Sequence, residues 1–128
     1  MKFLLDTNFL MIPGRFKVDV ITELRQFEGE RELYTIDLVV EELERLADGT
    51  SKDARCAALA LHLIQLYKIE VIQTQGQNAD DELLQAAQHH QVVVCTQDAP
   101  LQKRLTELKL PFVHLRQKRT LVLENYPT

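Results

Sequence analysis

The chain reads as short, strongly apolar runs separated by stretches whose apolar residues recur at helical spacing. Phe3-Leu4-Leu5 stops abruptly at Asp6 and predicts a first strand. Thr7-Asn8 supply a polar turn, Phe9 to Ile12 are apolar again, and Pro13-Gly14 are expected to break that segment. Val18, Ile21, Leu24 and Phe27 predict an amphipathic helix from Lys17 to Phe27. A polar loop from Glu28 to Glu32 leads to a short strand, Leu33 to Ile36. Asp37 is placed to cap a helix from Leu38 to Ala47, which Asp48-Gly49-Thr50 ends. A long helix from Asp53 to Tyr67 follows. It is apolar on most sides, a pattern that fits deep burial or half of a contact between two copies.

The second half repeats the alternation. Glu70 to Gln73 predicts a strand, Thr74 to Ala79 a loop, and Asp80 to His90 a helix with an acidic first turn. Val92 to Thr96 is a β-branched run of the kind found in a central parallel strand. Ala99 to Leu108 predicts a helix, with Pro100 tolerated in its first turn. Phe112 to Leu115 predicts another strand, and Thr120 to Leu123 a small edge piece. The order β-α-β-α-α-β-α-β-α-β implies an α/β domain of three layers, with a mostly parallel sheet of about five strands. The expectation is one domain over residues 1–128, without repeats or linkers.

Composition changes this picture little. No apolar run is long enough to span a bilayer, and the start reads as a strand rather than a secretory signal. Cys56 and Cys95 lie in apolar runs, not in a CxxC pair, which argues against zinc and for buried reduced thiols in a cytoplasmic protein. The formal net charge is −4, unlike most nucleic-acid binders. The cations are uneven, however: Lys103, Arg104, Lys109, Arg116, Lys118 and Arg119 crowd the last quarter. Of these, Lys103, Arg104, Arg116, Lys118 and Arg119 are candidate phosphate contacts.

The candidate chemistry lies in four acids. Asp6 and Asp98 follow apolar strands, at the carboxyl ends where open parallel sheets bind ligands. Asp80 opens a helix, where the dipole favours an anion, and Glu42 sits in the first turns of another. Helix capping is the competing role for Asp98. Carboxylates gathered at one sheet edge repel one another, so they hold either protons or a cation. Hard divalent ions such as Mg2+ or Mn2+ take oxygen ligands, and four carboxylates suffice for one or two of them. Metal-assisted phosphodiester hydrolysis is the chemistry that needs this residue type.

With DTNFL after the opening strand, VVEELERL in a helix, NADDELLQAA after the long helix and TQD after a strand, the chain resembles the PIN-domain ribonucleases over almost its full length. That resemblance implies an endoribonuclease whose catalytic and metal-binding residues are Asp6, Glu42, Asp80 and Asp98. Glu42 rather than Glu41 matches because Leu43 follows it, and Asp80 matches by its spacing to Asp98. Asp81 is an additional candidate ligand, and Thr7, Asn8 and Thr96 are polar residues placed to orient the acids. DTNFLMIP and NADDELL are most similar to the archaeal and eukaryotic branch related to the processome nuclease of the small ribosomal subunit. The implied substrate is then pre-ribosomal RNA. The toxin branch of toxin–antitoxin systems has the same acids and stays open.

Other readings compete. One is a catalytically weak RNA-binding or scaffold module that keeps the acid pocket. A DxDxT phosphatase is disfavoured because Asn8 replaces the second acid. GxSxG and GxxxxGK[ST] motifs are absent. His89 and His90 end a helix, where the dipole favours them, and adjacent histidines point apart. The apolar helix from Asp53 to Tyr67 leads to the expectation of a homodimer.

Overall fold

The computed structural model describes residues 1–127. Six strands form one sheet: β1 (Lys2–Leu5), β2 (Glu32–Ile36), β3 (Glu70–Ile72), β4 (Val93–Cys95), β5 (Phe112–Arg116) and β6 (Thr120–Glu124). Their order is β3-β2-β1-β4-β5-β6. All neighbours are parallel except β5 and β6, which pair as an antiparallel hairpin. The expected edge piece is therefore a full sixth strand. Gln117 and Lys118 take left-handed backbone angles at its turn (φ 55° and 53°), a conformation that tight hairpins demand.

Among the described residues seven helices flank the sheet: α1 (Thr7–Leu10), α2 (Ile12–Phe16), α3 (Val20–Glu23), α4 (Asp37–Leu46), α5 (Lys52–Leu66), α6 (Ala79–His90) and α7 (Ala99–Glu107). α1, α2, α4 and α5 pack on one another, and α6 packs on α7, which gives the three-layer arrangement. β1, β2, β4 and Phe112, Val113 and Leu115 of β5 supply buried side chains between the layers, and Phe3, Leu4 and Leu5 of β1 are almost wholly buried. A strand with helices on both faces has no polar face to show, hence its uninterrupted apolar run. Among the described residues no helix is long and apolar enough to cross a membrane.

The predicted helix from Lys17 to Phe27 is a correction. Lys17 takes a left-handed conformation (φ 58°) and ends α2. The chain restarts only at Asp19, whose side chain caps the four residues of α3, and continues as a single 3-10 turn, Leu24–Gln26. Pro13-Gly14 do not break the preceding segment either. Pro13 sits in the first turn of α2, where its missing N–H costs nothing. A Cβ on Gly14 would lie 2.9 Å from the Cα, Cβ and Sγ of Cys56 in α5, so glycine here permits close helix packing.

Asp37 is a second correction. It opens α4 without capping it. Its Oδ1 accepts from the Thr74 hydroxyl (2.6 Å), the Thr74 N–H (3.2 Å) and the Leu38 N–H (3.0 Å). The Thr74 hydroxyl is the main reason that Asp37 is held below the usual carboxylate range. Because β2 and β3 are paired, the chain leaving β3 passes the carboxylate and offers it these donors. Cys56 and Cys95 are free and buried.

Candidate active site

From β1 the chain winds outward through β2 and β3, then crosses back to lay β4 on the other side of β1. The sheet thus changes winding direction between β1 and β4. At such a point the two crossovers leave on opposite faces and open a crevice at the carboxyl edge. Asp6 leaves β1 at this crevice, and its backbone N–H is bonded to the Cys95 carbonyl at the end of β4 (3.1 Å).

A cavity of 330 Å³ opens there. Asp6, Glu42, Asp80 and Asp98 all line it, with Thr7, Asn8 and Asn78 as the other polar groups and Val39, Ala79 and Leu83 as apolar wall. Each acid comes from a different element. Asp6 caps α1, accepting from the Phe9 N–H (2.8 Å). Glu42 lies on α4 beside the buried positions Val39 and Leu43, so it emerges at the edge of the helix face that meets the core. Asp80 sits in the first turn of α6, which Asn78 caps. Asp98 occupies the cap position of α7 without making a side-chain cap bond. The capping role considered for Asp98 is therefore not realised, and its carboxylate is left to the cavity.

Burial raises the Asp6 pKa from 3.8 to about 7. Hydrogen bonds from the Thr96 hydroxyl and the Phe9 N–H oppose the rise, and the charges of Asp80 and Asp98 add to it. Asp80 is also pushed up, first by burial, then by the charge of Asp98 and by a hydrogen bond between the two carboxyls. Crowded, desolvated carboxylates hold protons unless a cation replaces them.

Thr96 connects two of the acids. It is fully buried, its hydroxyl bonds Asp6, and its Oγ1 accepts from the Asp98 N–H (3.0 Å). Gln97 holds the segment after β4 against β5 by donating to the Leu115 carbonyl (2.9 Å) and accepting from the Leu115 N–H. The Gln102 side chain donates to the Thr96 carbonyl (2.8 Å). Sequence reading passed over both glutamines and Asn78. Only Asn78 carried a signal, an N-cap residue three positions before the acid whose N–H it accepts (3.0 Å). Thr96→Val should lower stability by about 1–3 kcal/mol, because it strips a partner from a buried carboxyl and a backbone N–H. A chemical denaturation curve that overlays the wild type would refute this.

Other predicted residues lie elsewhere. Asp81 does not line the cavity; its carboxylate meets the Arg104 guanidinium at 2.8 Å on the surface. Lys103 is exposed on α7. Arg116, Lys118 and Arg119 are exposed at the β5–β6 turn. Since β5 runs parallel to β4 and extends past it, this turn stands at the same sheet edge as the cavity.

The donor set fits a hard divalent cation in type and charge: every candidate ligand is a carboxylate oxygen. As the side chains stand, no three His, Cys, Asp or Glu groups close round one point among the described residues.

A family model described as a PIN-like domain matches residues 3–118. The chain belongs to that family. Two archaeal ribonucleases are similar to this chain over most of its length. Ribonuclease VapC9 of Archaeoglobus fulgidus is 31% identical over 120 residues, covering 93% of this chain and 86% of its own. Ribonuclease VapC4 of Methanocaldococcus jannaschii is 32% identical over 123 residues, covering 92% of each. The solved PIN domain endonuclease Utp24 superimposes with a TM-score of 0.79 at 23% identity, covering 98% of this chain and 92% of that one. VapBC-1 from nontypeable Haemophilus influenzae gives 0.53 at 16% identity, covering 84% and 94%. These two likenesses establish the PIN fold.

Proposed function

We propose that this protein is a metal-dependent endoribonuclease. The observation that carries the reading is the meeting of Asp6, Glu42, Asp80 and Asp98, from four separate elements, on one cavity at the switch point of the sheet. The relatives named as ribonucleases support RNA as substrate.

Asp6, Glu42, Asp80 and Asp98 would hold Mg2+ or Mn2+ through their carboxylate oxygens. Held there, such an ion would supply an acidified water as nucleophile and positive charge for the scissile phosphate. Thr96 orients two of these ligands at once, and the Asn78-capped start of α6 turns the positive end of its dipole toward the site. RNA reaches the cavity along the exposed cations Arg116, Lys118 and Arg119 at the same edge. Lys103 and Arg104 add charge on α7, although Arg104 is partly engaged by Asp81.

The test is cleavage of a structured RNA with Mn2+ or Mg2+, against chelator, joined to a manganese soak read by anomalous scattering. Activity that persists in chelator, or no manganese peak among the four acids, would reject the reading. Neutralising Arg116, Lys118 and Arg119 together should lower the slope of log K against log salt by about two. An unchanged slope would remove the turn from the binding surface.

The substrate branch has two supports. DTNFLMIP and NADDELL favour ribosomal RNA processing, whereas the curated VapC relatives favour a toxin-type ribonuclease with an antitoxin partner. Cleavage mapped on pre-ribosomal RNA and on a mixture of other cellular RNAs separates them. A homodimer is supported by α5, whose Leu59 and Leu66 are exposed. A monomeric mass in light scattering would reject it.

A further inference from the structure

We propose that Phe16 is a stacking platform for an unpaired nucleobase. With Arg15 and Lys118 it forms a track that delivers single-stranded RNA to the acidic cavity. The inference rests on the endoribonuclease reading and adds the residues that would hold the strand beside the site.

Phe16 is the last residue of α2 and is 38% exposed. The Lys118 ammonium, from the β5–β6 turn, lies over its ring at 5.1 Å from the centroid. The end of α2 and the tip of the hairpin therefore meet at one place, an aromatic face beneath a cation. Arg15, the preceding residue, continues the line to the cavity. Its Nη1 donates to the Asn8 Oδ1 (3.2 Å), and Asn8 lines the cavity. Its Nε bonds Asp53 (3.4 Å), which braces the guanidinium at the rim.

The charge distribution favours a nucleic-acid strand. A cavity lined by four carboxylates repels a polyanion, so approach requires cations beside it. Arg15 and Lys118 supply them, with Lys17 and Arg119 exposed alongside. A flat apolar ring beneath a movable ammonium matches the alternation of base and phosphate. The base takes the ring face, and the ammonium moves to the adjoining phosphate. A base can stack on a protein ring only outside a duplex, so the track selects unpaired RNA.

The test compares wild type, Phe16→Leu and Phe16→Trp on a single-stranded oligoribonucleotide and on the same sequence held in a duplex. Leucine keeps apolar volume without a π face; tryptophan keeps the face. Phe16→Leu should weaken single-strand binding about tenfold or more, Phe16→Trp should retain it, and neither should change duplex binding. A 2-aminopurine base in the single strand should be quenched by wild type and the Trp variant and not by the Leu variant. Thermal melting of all three should coincide. Equal single-strand affinity of the Leu variant, with RNA cleavage intact, overturns the inference and leaves the nuclease reading standing. Equal loss on single strand and duplex also overturns it. So does displacement of the RNA by polyglutamate at matched charge, which assigns the track to an acidic peptide. A wild type that neither binds nor cleaves RNA sinks the nuclease reading itself.

Discussion

Without divalent cations, the protein should lose stability as the pH rises from about 4 to about 7, and magnesium or manganese should restore it. Asp6 carries most of this effect. Its pKa in the folded protein is raised from 3.8 to about 7, chiefly by burial. The folded state then binds more protons than the unfolded chain between those values, so stability falls as pH increases. The contribution is fully present below about pH 4 and is lost as the pH climbs through the folded value. At about 1.4 kcal/mol per unit, the shift amounts to ~4 kcal/mol. Asp80 is raised too, so it acts in the same direction. A cation takes over from the protons and must displace them, so its stabilisation should be large at about pH 8 and small at about pH 5. Magnesium at about a hundred times its Kd should return ~2.7 kcal/mol. Urea denaturation at the two pH values, with and without metal, measures this directly. Identical curves in all four conditions would mean that Asp6 neither titrates as described nor meets a cation.

Replacing the same side chain should separate folding from catalysis. Asp6→Asn should cleave RNA about a thousandfold more slowly, the scale expected when several kcal/mol of transition-state stabilisation are lost. Yet at about pH 8 without metal it should be more stable than wild type, because the buried carboxylate is gone. The Asn carbonyl can still accept from the Phe9 N–H and the Thr96 hydroxyl, so the cap of α1 survives. Asp98→Asn should show the same loss of cleavage with normal folding, since Asp98 makes no cap bond to be broken. Magnesium should no longer stabilise Asp6→Asn. Cleavage by Asp6→Asn within about tenfold of wild type would remove Asp6 from the chemistry.

The central strands and the long helices were readable along the chain because their signal is local. β1 and β4 are apolar runs closed by polar residues, and α4 to α7 repeat buried residues at helical spacing. The first crossover was misread for a physical reason. Val18, Ile21, Leu24 and Phe27 have helical spacing, but a left-handed Lys17 and a cap at Asp19 divide the segment, and those same residues reach the core from separate short turns. Pro13-Gly14 looked like a break because nothing local shows Cys56 lying against Gly14.

The acids divide in the same way. Which residue types stand at the strand ends and helix starts follows from the sequence alone: Asp6 after β1, Asp98 after β4, Asp80 at the start of α6. Which of two adjacent acids faces inward is a matter of packing. Asp80 turns to the cavity and Asp81 to Arg104, because neighbours on a helix point about 100° apart. Asp37 had the sequence of a cap and became a tie to Thr74, a partner 37 residues away. The pKa of Asp6 and the bridge from Thr96 to Asp98 are likewise tertiary properties. They depend on how much water the packed layers exclude and on the reversal of strand order that sets β4 beside β1.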